Sequence, residues 1–144
     1  MSRGFLLDTT VLSELMRAMP APEVLEWFAG QSADRLNTSV ITQAEILAGI
    51  AFLPEGKRRN ALAAAAATIF EEDFDGRCLN FDRLAAGSYA KVRAQRQRDG
   101  RPIDTPDAQI AAIALAHGLC LVTRNTKDFA GIAGLSIVNP WQTH

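Results

Sequence analysis

Short apolar runs alternate along this chain with longer segments in which apolar residues recur at helical spacing. The run Phe5–Leu7 is short, apolar throughout and followed by polar residues, a pattern typical of a buried strand. Leu119–Thr123 has the same character and is the clearest strand of the sequence. Three weaker extended segments complete the set of predicted strands, at residues 35–38, 77–80 and 136–138.

The segments between the strands have helical periodicity and end at residues that stop helices. Ala85, Tyr89 and Val92 recur at positions i, i+4 and i+7, which places them on one face of a helix. Gly118 follows an apolar helical segment and is predicted to end it as the C′ residue. Helices are predicted at residues 11–16, 23–29, 43–52, 57–70, from 81 onward, and 108–117.

The order of these elements sets the fold class. Strands that alternate with one or two helices predict an α/β protein, a three-layer α/β/α sandwich with a central parallel sheet. A chain of 144 residues is long enough for one proper core, and no repeat or linker divides it. We therefore predict a single domain over residues 1–144.

The overall charge gives no sign of a nucleic-acid partner. The formal net charge is −1, so attraction to a polyanion requires local basic patches or bound cations. One basic cluster near the end of the fifth predicted helix is either a solvated face or a phosphate-binding surface. Its members are Lys91, Arg93, Arg96, Arg98 and Arg101.

The sequence also indicates where the protein resides. Asp8 interrupts the first apolar run almost at once, so no signal peptide is expected, and no apolar run is long enough for a membrane span. Cys78 and Cys120 lie far apart without a C-x-x-C motif, which indicates buried, reduced thiols. These features predict a cytoplasmic protein without a membrane contact.

Several acids stand at predicted helix starts, where a structural role is a serious alternative. Asp8 precedes a helix and is a potential N-cap. Thr42 and Glu45 have the spacing of a capping box, with Thr42 as the predicted N-cap. Thr105 is the predicted N-cap of the next apolar helix, with Asp107 in its first turn.

The same acids share one topological feature that points to chemistry. Asp8 and Asp128 follow strands, whereas Glu45 and Asp107 lie in the first turns of helices near the ends of strands. If neighbouring strands bring these ends together, four carboxylates converge on one cleft. Like charges there raise each other's pKa unless a cation is bound, and hard ions such as Mg²⁺ or Mn²⁺ prefer oxygen ligands. One or two such ions would support phosphodiester hydrolysis by an activated water.

Other mechanisms find little support in the residues. His117 stands at a predicted helix end and His144 is the last residue, so a two-histidine ribonuclease mechanism is not expected. The chain has no G-x-S-x-G, Walker A or G-x-G-x-x-G motif. Zinc is disfavoured because histidine and cysteine ligands at useful spacing are missing.

Four segments in this order resemble the PIN-domain ribonucleases, and within them the VapC/FitB-like toxins of bacterial type II toxin–antitoxin pairs. The segments are residues 6–14, 38–49, 103–112 and 122–129, and the ending Asn139-Pro140-Trp141 is also similar to the FitB type. The resemblance covers almost the whole chain.

The resemblance implies a PIN-like fold in which Asp8, Glu45 and Asp107 form the core of an acidic metal site. It implies an endoribonuclease that depends on Mg²⁺ or Mn²⁺ and forms a homodimer. A small VapB/FitA-like antitoxin is expected to occupy the acidic cleft with its C-terminal tail. DNA is expected to be bound only through that antitoxin.

Two positions depart from the family pattern. Thr10 stands where the family commonly has asparagine, and its hydroxyl lacks the paired donor and acceptor of an amide. The fourth acid is either replaced by Asn125, which follows Thr-Arg, or provided by Asp128. Asn125 would coordinate through its carbonyl or orient a water. Asp104 is a further candidate, with a loop or capping role as the alternative.

Two other functions remain open at this point. One is a binding module that keeps the PIN shape without catalysis, because of the departures at Thr10 and Asn125. The other is a phosphatase of the haloacid-dehalogenase type, which requires a second acid two residues after Asp8, where Thr10 stands. The side chains of Leu25, Trp27 and Phe28 either form a partner groove or belong to the core.

Overall fold

In the computed structural model, which describes residues 4–142, five short strands form one parallel sheet. They are β1 (Phe5–Leu7), β2 (Leu36–Ser39), β3 (Cys78–Leu79), β4 (Cys120–Val122) and β5 (Ile137–Val138). Their order is β3-β2-β1-β4-β5, and every neighbouring pair is parallel. The predicted central parallel sheet is confirmed, with β1 in the middle.

Helices connect the strands. Within residues 4–142 they are α1 (Thr9–Leu15), α2 (Pro22–Ala29), α3 (Val40–Ala51), α4 (Lys57–Thr68), α5 (Arg83–Arg98), α6 (Thr105–His117) and α7 (Thr126–Phe129). A short 3₁₀ helix (Ala33–Arg35) precedes β2, and a π-helical turn (Ile69–Asp73) extends α4. None of the helices in the described part of the chain is long and apolar enough to cross a membrane.

Successive residues of the central strands face opposite sides of the sheet, as strand geometry requires. Leu6 and Leu121 belong to one fully buried cluster, which α5 and α6 complete. Leu7 and Val122 belong to a second cluster, which α1, α3 and α4 complete. Two separate cores, one on each face of the sheet, give the predicted three layers.

Two predicted helix starts are wrong. The helix α3 begins at Val40, and its N-cap is Ser39, whose hydroxyl accepts a hydrogen bond from the backbone N–H of Thr42 at 3.2 Å. The strand β2 runs directly into this helix, so no separate turn is left for Thr42 to cap. The helix α6 begins at Thr105 itself, with Asp104 at the N-cap position.

The remaining boundaries agree closely with the predictions. Gly118 ends α6 with a left-handed φ of 65°, as predicted for a C′ residue.

Trp27 packs edge-on against Phe5 and Phe28, so these aromatic rings belong to the core rather than to a partner groove. Both cysteines are free thiols, each partly exposed rather than fully buried.

The strand order creates one crevice. From β1 the chain adds β2 and β3 on one side of the sheet, then crosses to add β4 and β5 on the other. In open α/β sheets, ligands bind beyond the carboxyl ends of the strands at such a switch point. Here the switch point lies between β1 and β4, where the backbone N–H of Asp8 donates to the carbonyl of Val122 at 3.1 Å.

Candidate functional site

Asp8 lies at the switch point and is only 4% exposed. One carboxylate oxygen, Oδ1, accepts hydrogen bonds from the Thr10 hydroxyl at 2.6 Å and from the Val11 backbone at 3.3 Å. The other oxygen, Oδ2, accepts from the Thr123 hydroxyl at 2.5 Å. Burial raises the pKa of Asp8 above its usual value, while these hydrogen bonds act in the opposite direction. The capping role is therefore real, but it occupies only one of the two oxygens.

Two threonine hydroxyls connect the ends of β1 and β4. The Thr10 hydroxyl donates to Asp8 and also accepts from the backbone N–H of Arg124 at 3.2 Å. The Thr123 hydroxyl donates to Asp8 and accepts from the backbone N–H of Asn125 at 3.0 Å. Thr10 thus supplies one donor and one acceptor, although it replaces the amide that the family commonly has.

Glu45 lies in the second turn of α3, because that helix begins at Val40. It was predicted in the first turn, as the partner of a capping box. Its side chain is free of that role and accepts a hydrogen bond from the Thr9 hydroxyl at 2.5 Å. Thr9 also contacts the Thr42 hydroxyl at 3.3 Å. Sequence reasoning missed Thr9, although its position directly after Asp8 was a signal.

Asp107 is the most strongly perturbed acid of the site. Burial, a hydrogen bond shared with Asp104, and the negative charges of Asp104, Asp128 and Glu45 together raise its pKa to about 7. A shift of that kind requires the carboxylates to be close in space. Two of the other predicted acids, Glu45 and Asp128, therefore lie within electrostatic reach of Asp107, and so does Asp104. For the buried Asp8, the pKa is governed by burial and hydrogen bonds.

A small cavity of about 260 Å³, which we call the acidic pocket, lies beside these acids. One cation belongs to it: Arg96 is only 5% exposed, although it is part of the basic cluster on α5. Its guanidinium donates to backbone carbonyls, so neither the solvated nor the phosphate-binding interpretation describes it. The pocket is lined by Arg96, Pro102, Ile103, Asp104, Asp107 and Asp128.

The donor chemistry of the site fits a hard divalent cation. Every predicted ligand is a carboxylate, and the pKa of Asp107 is raised first by burial and then by the negative charges of Asp104, Asp128 and Glu45. The side chains are not arranged around a single point, however. Between residues 4 and 142, no three Asp, Glu, His or Cys side chains lie close enough together to hold one ion. The structure therefore places the acids at one edge of the sheet without closing them around a point.

His117 does not take part in this arrangement. His117 ends α6, ten residues after Asp107, which corresponds to about 15 Å along the helix axis. Its Nε2 atom lies 3.9 Å from an oxygen of Asp82, at the start of α5. His144 lies outside the described residues. The described histidine, His117, therefore lies away from Asp107.

A larger cavity of about 900 Å³, which we call the apolar groove, runs between α1, α3 and α4. Thr9 and Glu45 lie at its edge, so the groove borders the acids. Two cations, Arg17 and Arg58, also line it. Most of its lining is apolar and includes Met16, Met19, Ile46, Ile50, Leu53, Ala61, Leu62 and Ala65.

Comparison with known proteins gives consistent matches over almost the whole chain. Residues 5–135 match the PIN domain family. The plasmid stability protein StbB of Pseudomonas syringae pv. tomato is 42% identical over 137 residues, which cover 95% of this chain and 98% of StbB. The VapC ribonuclease Y4jK of Sinorhizobium fredii is 42% identical over 144 residues, covering 94% and 96%. A chain in the structure of FitAB bound to the IR36 DNA fragment aligns with a TM-score of 0.89 at 35% identity, covering 97% of both.

Proposed function

The chain belongs to the PIN-domain family, and from this premise we propose that it is a Mg²⁺- or Mn²⁺-dependent endoribonuclease, the toxin of a toxin–antitoxin pair. The observation that carries the proposal is that Asp104, Asp107 and Asp128 line one pocket, where burial and the nearby charges of Asp104, Asp128 and Glu45 raise the pKa of Asp107 to about 7. Such a group of acids is stabilised by a cation. The ribonuclease name of a relative at 42% identity supports RNA as the substrate.

We propose that Asp8, Glu45, Asp107 and Asp128 hold the ion. A bound Mg²⁺ or Mn²⁺ lowers the pKa of a water and stabilises the negative charge that develops on the phosphate. The chain itself orients the ligands: Thr10 and Thr123 fix both oxygens of Asp8, and Thr9 fixes Glu45. Asp107 gives up its proton when positive charge replaces the repulsion of its neighbours.

The test is cleavage of RNA by the purified chain with Mg²⁺ or Mn²⁺, beside a sample with EDTA. In Asp8→Asn we expect cleavage to be lost while the fold is kept, because an amide fits the same space and can bond to both threonine hydroxyls. Asp75→Asn, at an exposed turn outside the cleft, is the matched control. Equal cleavage by Asp8→Asn and the control would disprove the proposal.

The alternative binding module makes a different prediction in the same experiment. It would bind Mn²⁺ in calorimetry and leave RNA intact. The phosphatase alternative is not retained, because the place where it needs an acid is held by Thr10, whose hydroxyl is engaged by Asp8 and by the Arg124 backbone.

We further propose a small antitoxin as the protein partner, a homodimer as the active toxin, and DNA contact through the antitoxin alone. The FitAB–DNA complex supports this assignment, since its aligned chain shares 35% identity with this one. The apolar groove is the surface we assign to the antitoxin. It borders Glu45, so a segment docked there reaches the acids.

The groove assignment is tested by placing a charge in it. Ala61 is exposed on α4 and lines the groove, whereas Ala64 is exposed on the same helix outside it. We expect Ala61→Glu to keep RNA cleavage and to escape neutralisation by the antitoxin, with Ala64→Glu neutralised normally. Equal neutralisation of both variants would place the antitoxin elsewhere. Light scattering of the free chain tests the dimer.

A further inference from the structure

The C-terminal end of α5 is bonded to the segment that carries Asp128. We call residues 127–133 the Asp128 loop. The Gln95 side chain donates to the carbonyl of Gly131 at 2.7 Å and accepts from the N–H of Ala133 at 3.0 Å. The exposed Arg101 side chain bonds to the same loop, because its guanidinium donates to the backbone carbonyls of Lys127 and Ala130.

Arg96 is the buried member of this set of contacts. Its Nε donates to the carbonyl of Arg101 at 2.7 Å, and its Nη1 donates to the carbonyl of Asp128 at 2.9 Å. The two carbonyls belong to the two segments that enclose the acidic pocket, because Asp104 follows the first and Asp128 belongs to the second. One planar guanidinium therefore sets the distance between them.

The burial of this charge requires an explanation, since arginine is rarely fully buried without a strong partner. Arg96 donates to neutral carbonyls rather than to a carboxylate, yet Asp104, Asp107 and Asp128 line the same pocket. The guanidinium thus lies in the same pocket as these acids, with its hydrogen bonds made to backbone carbonyls.

We infer that Arg96 is a positioning residue for the metal site, which holds the backbone of Asp128 at a fixed distance from the segment 101–104. The inference rests on the proposed function, because it gives Asp128 a ligand role. An arginine is needed for this because its rigid fork presents two donors in one plane to two different segments. A lysine keeps the charge but has one flexible nitrogen, and it cannot hold both carbonyls in that geometry.

The first measurement is hydrogen exchange on the metal-free protein, which does not depend on any activity. In Arg96→Lys we expect faster amide exchange confined to the Asp128 loop and to residues 101–104. Arg98→Lys is the matched control, since Arg98 is exposed on the same end of α5. Exchange in Arg96→Lys that equals the control would overturn the inference.

The second measurement separates positioning from a general effect on the fold. Calorimetry gives the Mn²⁺ dissociation constant of the wild type, Arg96→Lys, Asp128→Asn and the double variant. Loss of a residue that orients a metal ligand weakens binding about tenfold or more, and we expect that loss in Arg96→Lys. If Arg96 acts through Asp128, the double variant binds no more weakly than Asp128→Asn alone.

Additive losses in the double variant would show that Arg96 acts independently of Asp128 and would overturn the inference while leaving the nuclease intact. A wild type that binds no Mn²⁺ would overturn both proposals. If Arg96→Lys does not fold, Arg101→Gln replaces it, because the Arg101 side chain is exposed and bonds to the same loop. We expect a smaller loss of Mn²⁺ affinity there, again absent in the Asp128→Asn background, and an unchanged affinity would contradict the inference.

Discussion

Asp8 and Asp107 are both carboxylates at the carboxyl edge of the same sheet, yet their surroundings differ in kind. Asp8 is buried among donors, and three hydrogen bonds from Thr10, Val11 and Thr123 satisfy its two oxygens. Asp107 is half-buried among other acids, and burial together with their charges raises its pKa to about 7. Hydrogen bonds hold the carboxylate of Asp8 in place. The carboxylate of Asp107 is repelled by its neighbours, so its charged form is favoured only when positive charge is added. In the proposed site, the part around Asp8 is preorganised and the part around Asp107 would be completed by the bound ion.

The largest expected effect is the stabilisation of the folded protein by Mn²⁺ bound at Asp107. At a Mn²⁺ concentration of about one hundred times the dissociation constant, linkage stabilises the folded protein by about 2.7 kcal/mol. A thermal scan with and without Mn²⁺ measures this as a higher melting temperature. Asp107→Asn is expected to lose most of the shift and Asp75→Asn to keep it. A full shift in Asp107→Asn would remove Asp107 from the ion's ligands.

The second effect concerns the hydrogen bond that Thr123 donates to Asp8. Thr123 is completely buried, and its hydroxyl serves both Asp8 and the backbone of Asn125. In Thr123→Val a buried carboxylate and an amide lose their partner, which costs about 2 kcal/mol of unfolding free energy. Urea denaturation measures the loss, with Thr68→Val at an exposed helix end as the control. Equal stability of the two variants would mean that Asp8 does not depend on this hydroxyl.

A third effect is expected from pH, and its sign follows from the direction of the shift. The pKa of Asp107 rises from 3.8 to about 7 in the folded, metal-free protein. The folded state therefore binds more protons than the unfolded state between these values. The contribution to stability is full below about pH 4 and is lost as the pH rises through about 7. In EDTA, Asp107→Asn should lose this part of the pH dependence, and an unchanged slope would contradict the assignment.

The smallest effect is expected from the hydrogen bond that Thr9 donates to Glu45. Thr9 donates to Glu45 at 2.5 Å, but Glu45 is exposed and water replaces the lost donor. We expect Thr9→Val to cost about 0.5 kcal/mol, at the low end for hydrogen bonds. Urea denaturation of Thr9→Val beside Thr123→Val checks the contrast. A similar loss in both variants would show that burial does not distinguish the two hydrogen bonds.

The sequence predicted the parts of this molecule that depend on local pattern. The apolar run Phe5–Leu7 followed by Asp8 indicated a strand that delivers an acid to the sheet edge, and the alternation of elements indicated the parallel sheet. The start of α3 was predicted three residues late. Ser39 and Thr42 are both capable caps, and only the end of β2 decides between them.

The role of Arg96 was beyond local reasoning for a different reason. Arg96 lies four residues after Val92 and continues the face of Ala85, Tyr89 and Val92, so its spacing indicates that it turns inward but not what it binds. Its partner carbonyl at Asp128 is 32 residues away, and it is a backbone atom, which leaves no residue type to recognise. Contacts of side chains with distant backbone are invisible to patterns of residue type. The sheet edge at which the acids lie could be predicted, whereas the hydrogen bonds of Arg96 to the backbone beside them could not.

The pairing of β1 with β4 has a consequence for the synthesis of the protein. The Asp8–Thr123 hydrogen bond joins residues that are 115 positions apart, and the crevice lies between their strands. A nascent chain on the ribosome that has not yet exposed β4 cannot form this crevice, whatever else it has folded. The crevice, and with it the proposed nuclease site, therefore forms only after nearly the whole chain has been synthesised.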